Sequence, residues 1–122
     1  MSWNLSSDRP IFVQIVEHIE LDIVSGKLPP GAKFPSVREL ASEAAVNPNT
    51  MQRALSEMER LGLMRTERTS GRYVTDDEGV ITSLKKDLAS VGVDGFIKQM
   101  KRLGLKKDEA LKLVKDNYEE ES

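Results

Sequence analysis

A mainly α-helical fold carrying one small β-hairpin is predicted by three features of this 122-residue sequence. Apolar residues recur at helical spacing over most of the chain, the period switches toward alternation between Leu63 and Thr75, and helix start and stop signals punctuate the joins.

The first helix is marked by Ile11, Ile15, Ile19 and Ile23, with Phe12, Val16 and Val24 broadening the stripe. Pro10 suits its first turn, and it ends near Ser25-Gly26. Leu28-Pro29-Pro30-Gly31 cannot continue a helix and turns the chain sharply. Ser36-Val37-Arg38-Glu39 has the form of a capping box, in which Ser36 accepts from the Glu39 amide and Glu39 reaches back to the Ser36 amide. It opens a short helix of about Val37 to Ala44. After the tight link Ala45-Val46, Asn47-Pro48 supplies a capping side chain and a proline for the next helix start. Met51, Ala54, Leu55, Met58 and Leu61 give that third helix its apolar face, and Gly62 is a left-handed stop. These two helices have the form of a helix-turn-helix. Leu63 to Arg68 and Arg72 to Thr75 then read as two short strands around Thr69-Ser70-Gly71, a wing-like hairpin with Gly71 at its tip.

Asp76-Asp77-Glu78-Gly79 is an acidic break whose carboxylates suit the positive end of a following helix. It divides the chain into residues 1–76, a winged helix-turn-helix, and residues 77–122, a short helical segment. In the second part Ile81, Leu84, Leu88 and Val91 mark a fourth helix closed by Gly92. Phe96, Ile97, Met100 and Leu103 mark a fifth closed by Gly104, and Ala110, Leu111, Val114 and Tyr118 a last one. The acidic end, Glu119-Glu120-Glu121, is expected to fray. Narrow apolar stripes on so short a segment cannot build an independent core. Association with a second copy would supply one, giving a two-fold dimer.

Composition excludes several function classes. With no cysteine there is neither a disulfide framework nor a thiolate metal site. No apolar run approaches the length of a membrane span, and Met1-Ser2-Trp3-Asn4-Leu5 lacks the layout of a signal peptide, so a soluble cytoplasmic protein with no membrane partner is expected. The one histidine, His18, lies beside the Ile15 and Ile19 stripe, and no nucleophile elbow, glycine-rich phosphate loop or metal-ligand cluster accompanies it. Glu57 and Glu59 face different directions on a helix and make no acid–base pair. The sequence therefore predicts neither an enzyme nor a cofactor. Trp3 is expected to anchor the N-terminal segment onto the core or onto a partner subunit.

The net charge of -2 weighs against a nucleic-acid partner at first sight. Residues 1–75 nevertheless balance nine Lys/Arg against nine Asp/Glu, while residues 76–122 hold nine against eleven, so any site for double-stranded DNA must be a local patch. A helix-turn-helix points the first turn of its second helix at base edges. Here Asn47, which can also serve as the cap, is followed by Asn49 and Thr50, free to reach outward, and by Gln52 and Arg53. Asn and Gln can pair with adenine, Arg with guanine or phosphate, and Thr with phosphate or the thymine methyl. The plain alternative for Gln52 is a solvated helix face. Arg38 is a cation in a first helical turn, where the dipole favours anions. Phosphate binding beside Ser36 would explain it, and an ion pair to Glu39 or Glu43 is the alternative. Arg65, Arg68 and Arg72 cluster around the hairpin, which could follow the backbone or enter the minor groove.

At these residues the sequence resembles the GntR superfamily of bacterial transcriptional regulators, and within it the short YtrA-like subgroup. The resemblance runs through Pro10-Ile11-Phe12-Val13-Gln14-Ile15, Gly26-Lys27-Leu28-Pro29-Pro30-Gly31, Phe34-Pro35-Ser36-Val37-Arg38-Glu39-Leu40-Ala41, Val46-Asn47-Pro48-Asn49-Thr50 and Leu61-Gly62-Leu63. Met100-Lys101-Arg102-Leu103-Gly104-Leu105 also resembles the subgroup's helical dimerisation segment. The resemblance implies DNA contacts from Ser36, Arg38, Asn47, Asn49, Thr50, Gln52 or Arg53, and Gly71. It departs in the wing, where Thr69-Ser70-Gly71-Arg72-Tyr73-Val74 stands against the usual Arg-Gly-x-Gly-Thr-Phe-Val, so that Arg72 would have to compensate for a missing glycine. The expectation is a homodimeric regulator, a repressor at a palindromic operator, with ABC-transporter genes as implied targets. Any small-molecule effector would bind between domains or subunits. The rival reading is a winged-helix module for protein association without DNA.

Overall fold

The computed structural model describes residues 3–119, so Glu120 and Glu121 of the acidic end lie outside the described residues. Five helices and one hairpin follow in the order α1 (Ile11–Val24), α2 (Val37–Ala44), α3 (Pro48–Arg60), β1 (Met64–Glu67), β2 (Gly71–Val74), α4 (Glu78–Arg102) and α5 (Lys107–Tyr118). The winged helix-turn-helix is present as the sequence predicts.

The first compact unit, Met1–Lys85, is organised by α3, which packs on both α1 and α2. Ile15, Ile19 and Ile23 of α1, Leu40 of α2, and Met51, Leu55 and Met58 of α3 are buried together with Leu63 and Val74 from either end of the hairpin. Each such side chain contributes about 1.5–3 kcal/mol by leaving water. Gln14 is buried among them, and its amide is fully used. Its Oε1 accepts from the Ser6 N–H at 2.8 Å, and its Nε2 donates to the carbonyls of Ser6 and Arg9 at 2.8 and 2.9 Å, pinning the segment before α1. Trp3 anchors that segment within the subunit, its ring stacked on His18 at 4.2 Å.

The ends of the helices follow their local chemistry. Ser36 Oγ accepts from the Glu39 N–H at 3.1 Å while Glu39 Oε1 accepts from the Ser36 N–H at 3.3 Å, completing the capping box. Three helices stop in the same way, with a residue just past the end in the left-handed region: Ala45 (φ 56°) after α2, Gly62 (φ 78°) after α3 and Gly104 (φ 79°) after α4. In each, the next amide bonds back at 3.0 Å, Val46 to Ala41, Leu63 to Met58 and Leu105 to Met100, which satisfies carbonyls the helix leaves open.

β1 and β2 pair antiparallel, Met64 opposite Val74 and Glu67 opposite Gly71. Gly71 is therefore the first residue of β2, and the turn is made by Arg68, Thr69 and Ser70, which corrects the expectation that Gly71 forms the tip. A third extended segment joins β2 on its other edge. Gly31 and Phe34 donate to the carbonyls of Val74 and Arg72, and Val74 donates to Ala32 at 2.8 Å. Gly31 has φ 78°, a backbone conformation that favours glycine, and a Cβ there would also make the exposed Asp76 carboxylate, 2.7 Å away, swing aside.

The helix expected to stop at Gly92 and the one expected to begin near Phe96 are a single helix, α4. Gly92 and Gly95 stay in helical conformation, unlike Gly104. Glycine costs a helix about 1 kcal/mol relative to alanine but keeps its N–H, and helix propagation across good helix formers absorbs that cost. Val80, Ile81 and Leu84, in the first turns of α4, pack on the core, which is why the first unit runs to Lys85 rather than ending at the acidic break. The second unit, Lys86–Ser122, has no buried residue in its helices.

Candidate nucleic-acid interface

The first turns of α2 and α3 carry most of the predicted site. Arg38 is exposed, and its guanidinium makes no ion pair or hydrogen bond with any described residue. Neither Glu39 nor Glu43 holds it; the Glu39 carboxylate is occupied by the Ser36 amide. A lone arginine on the first turn of a helix is disfavoured by the dipole and unrewarded by any internal partner. Ser36, by contrast, spends its hydroxyl oxygen as a cap acceptor, and its hydroxyl hydrogen remains available to a phosphate oxygen.

On α3 the division of labour is similar. Asn47 is the cap, its Oδ1 accepting from the Asn49 N–H at 2.7 Å, so its side-chain oxygen is structural and its amide NH2 is left over. The Asn49 side chain is exposed and unpartnered among the described residues, with both a donor and an acceptor to offer an adenine edge. Thr50 is half-buried and faces an open concavity it shares with Leu5, Ser6 and Ser7. Gln52 is exposed, and its Nε2 donates to Ser56 Oγ at 3.2 Å, which leaves its carbonyl and one N–H free. Arg53 lies over the Phe12 ring, 4.2 Å from its centroid, so α1 supports this guanidinium while leaving it exposed. Its tie to Phe12 has no signal in the local sequence, because the partners come together only when α1 and α3 pack.

The hairpin is wired differently from the expectation. Arg72 Nε donates to Glu59 Oε1 at 2.9 Å, and the Thr66 hydroxyl donates to the same oxygen at 2.6 Å. Those two bonds hold the Glu59 carboxyl below the usual glutamate range, against a smaller opposing effect of burial. Arg72 thus ties β2 to the end of α3. Tyr73, which replaces the expected phenylalanine, donates its hydroxyl to Ser70 Oγ at 2.9 Å and braces the turn. Arg68 and Lys33, outside the predicted contact set, are exposed beside this hairpin. The period-2 pattern at Lys33-Phe34, with Phe34 buried, is the trace Lys33 leaves in the sequence.

Among the described residues no helix is long and apolar enough to cross a membrane. Residues 12–74, from the start of α1 to the end of the hairpin, match the model of the gntR family of bacterial regulatory proteins. The chain is 44% identical over 115 residues to the HTH-type transcriptional regulator YhcF of Bacillus subtilis, covering 94% of this chain and 95% of that one. It is 37% identical over 94 residues to the HTH-type transcriptional repressor YtrA of the same organism, covering 72% of each. A GntR family transcriptional regulator from Listeria monocytogenes superposes with a TM-score of 0.86 at 39% identity, over 92% of this chain and 98% of the other. With the matched segment coinciding with the helix-turn-helix and its wing, and relatives matched along nearly the whole chain, the protein belongs to the GntR family of bacterial regulatory proteins.

Proposed function

We propose that the protein is a sequence-specific DNA-binding transcriptional regulator, a repressor that acts as a homodimer on a palindromic operator. The observation that carries this reading is the pairing of Arg38 and Asn49, exposed and without partners among the described residues on the first turns of α2 and α3, in helices whose capping groups are otherwise satisfied. Asn49, Gln52 and Arg53 read base edges. Arg38, Thr50, the Ser36 hydroxyl and the Asn47 amide hold phosphates, and the wing backbone at Gly71 approaches the duplex with Arg72 behind it. Repression is supported by the name of the YtrA relative, and the same resemblance makes ABC-transporter genes the targets to examine first.

Dimerisation is supported by the second unit. Val91, Leu103 and Tyr118 are 72%, 66% and 76% exposed, and Ile97, Leu111 and Val114 are also exposed. Apolar surface of this extent on a helical segment is a contact surface, and a second copy gives the closed symmetry that a palindrome mirrors. Two sets of readers also compensate for a chain that is acidic overall.

Selection of bound DNA from a random pool at physiological salt, with half-site spacing read from the selected sequences, tests the reading directly. Paired half-sites about one helical turn apart are expected. On the selected operator, Asn49→Ala should cost about 1–3 kcal/mol and relax one base position. Arg38→Ala should weaken all sequences alike and lower the salt slope by about one for each phosphate it no longer neutralises. Wild-type affinity in both variants would overturn the proposal, and enrichment of no sequence would favour the protein-association module.

A further inference from the structure

Of the three arginines around the hairpin, two are already engaged. Arg72 is held by Glu59 at 2.9 Å. Arg65 lies 3.4 Å from both Glu67 and Asp76 and packs over the Tyr73 ring at 5.2 Å. Arg68, in the turn itself, is exposed and pairs with no described residue. Lys33 is its counterpart on the other side. It sits on the extended segment that pairs with β2 opposite Tyr73, is equally exposed and unpaired among the described residues, and has its Cε 3.4 Å from where a Cβ on Gly71 would stand.

Lys33 and Arg68 line the same open groove of about 770 Å³, between the hairpin and the start of α2. Of the acids along that groove, Glu67 is matched by Arg65, and Glu39 keeps its charge but has its Oε1 turned to the Ser36 amide as part of the capping box. Lys33, Arg68 and the Glu59-bound Arg72 thus outnumber Glu39 and Glu67 on the groove wall, which also carries the hydroxyls of Ser36, Thr69 and Ser70. Open along its length and lined by charge and hydroxyls, this groove has the chemistry to hold an extended polyanion.

We infer that Lys33 and Arg68 clamp the sugar–phosphate backbone of bound DNA in this groove, while Arg65 and Arg72, the latter on the groove wall with its charge matched by Glu59, hold the hairpin in shape. The clamp supplies affinity and register and carries no base preference, because point charges on phosphates read no sequence. It rests on the DNA-binding reading above and adds to it the source of the wing's electrostatic contribution. It also changes the reading of the wing, whose DNA-facing charge comes from the turn and from the strand behind β2 rather than from Arg72.

The test uses the full chain and the operator recovered by selection, with affinity measured over a series of salt concentrations. Lys33→Gln and Arg68→Gln should each lower the magnitude of the log K against log salt slope by about 0.9 for every phosphate left unneutralised, with the preferred sequence unchanged. Lys33→Arg and Arg68→Lys should keep the wild-type slope, and Arg65→Gln should leave it unaltered. Circular dichroism establishes that each variant is folded. Wild-type slopes in both glutamine variants, or an equal fall of slope in Arg65→Gln, would overturn the clamp while leaving the DNA-binding reading intact. Absence of DNA binding by the wild-type chain even at low salt would overturn both.

Discussion

Glu59 shows how one side chain couples the recognition helix to the wing. Its carboxylate accepts from Thr66 and Arg72, so its pKa is lowered in the folded chain relative to the ordinary glutamate value of about 4.3. A group depressed in the folded state contributes stability that is fully present above its unfolded pKa and is lost as pH falls through its folded one. Urea midpoints should therefore drop as pH is taken below about 4.3, and Glu59→Gln should flatten that part of the profile, its destabilisation being largest at neutral pH and shrinking as the wild-type carboxylate is protonated. A wild-type acid limb in Glu59→Gln would rule out this coupling. Ala45 presents a different residue-scale cost. It holds φ 56°, a region that disfavours a Cβ by about 1–2 kcal/mol, so Ala45→Gly should raise stability by about 0.5–1 kcal/mol, read from urea unfolding. Ser36 and Asn47 were legible as caps because a cap is settled within two or three residues of chain. The Glu59–Arg72 pair spans 13 positions, and nothing local announces it.

The elements of the first unit were readable because each carries its own boundary chemistry, from the Ser36–Glu39 box to the Gly62 stop. Asp77 extends the pattern to α4: its Oδ1 accepts from the amides of Gly79 and Val80 at 3.0 and 3.2 Å. Replacing it with alanine should cost about 1 kcal/mol, visible as a lower thermal midpoint, with a change below experimental error counting against its role as a cap. Gly92 shows where the same logic fails. A glycine after an apolar stripe is a stop only if the chain turns there, and α4 continues because helical hydrogen bonding on both sides outweighs one weak residue. A Cβ placed on Gly92 or Gly95 would stand in open space, so alanine at either position should stabilise α4 by up to about 1 kcal/mol. Hydrogen exchange of the amides around residue 92 would report it, and faster exchange in the variant would contradict it. Gly71 was misplaced for a related reason: strand register, not composition, decides which residues make a hairpin turn.

For the whole molecule, the packing of Val80, Ile81 and Leu84 on the core sets where the chain can be cut. Truncation after Lys85 should leave a folded, monomeric winged helix with much weaker operator binding, whereas truncation before Val80 should also destabilise it. Sedimentation of the 1–85 fragment as a dimer would count against association through the second unit. The family, the helix-turn-helix, its caps and the candidate DNA contacts Arg38 and Asn49 follow from the order of residues alone, because periodicity, capping and motif spacing are local or run along the chain. Which charged groups are free follows only from the fold. Arg72 is taken by Glu59, Arg65 by Glu67 and Asp76, and Arg53 is propped by Phe12, while Lys33 and Arg68 remain open to solvent. Charge pairing falls off over a few ångströms and takes no account of distance along the chain, so it is the folded backbone that sorts these cations into braces and binders.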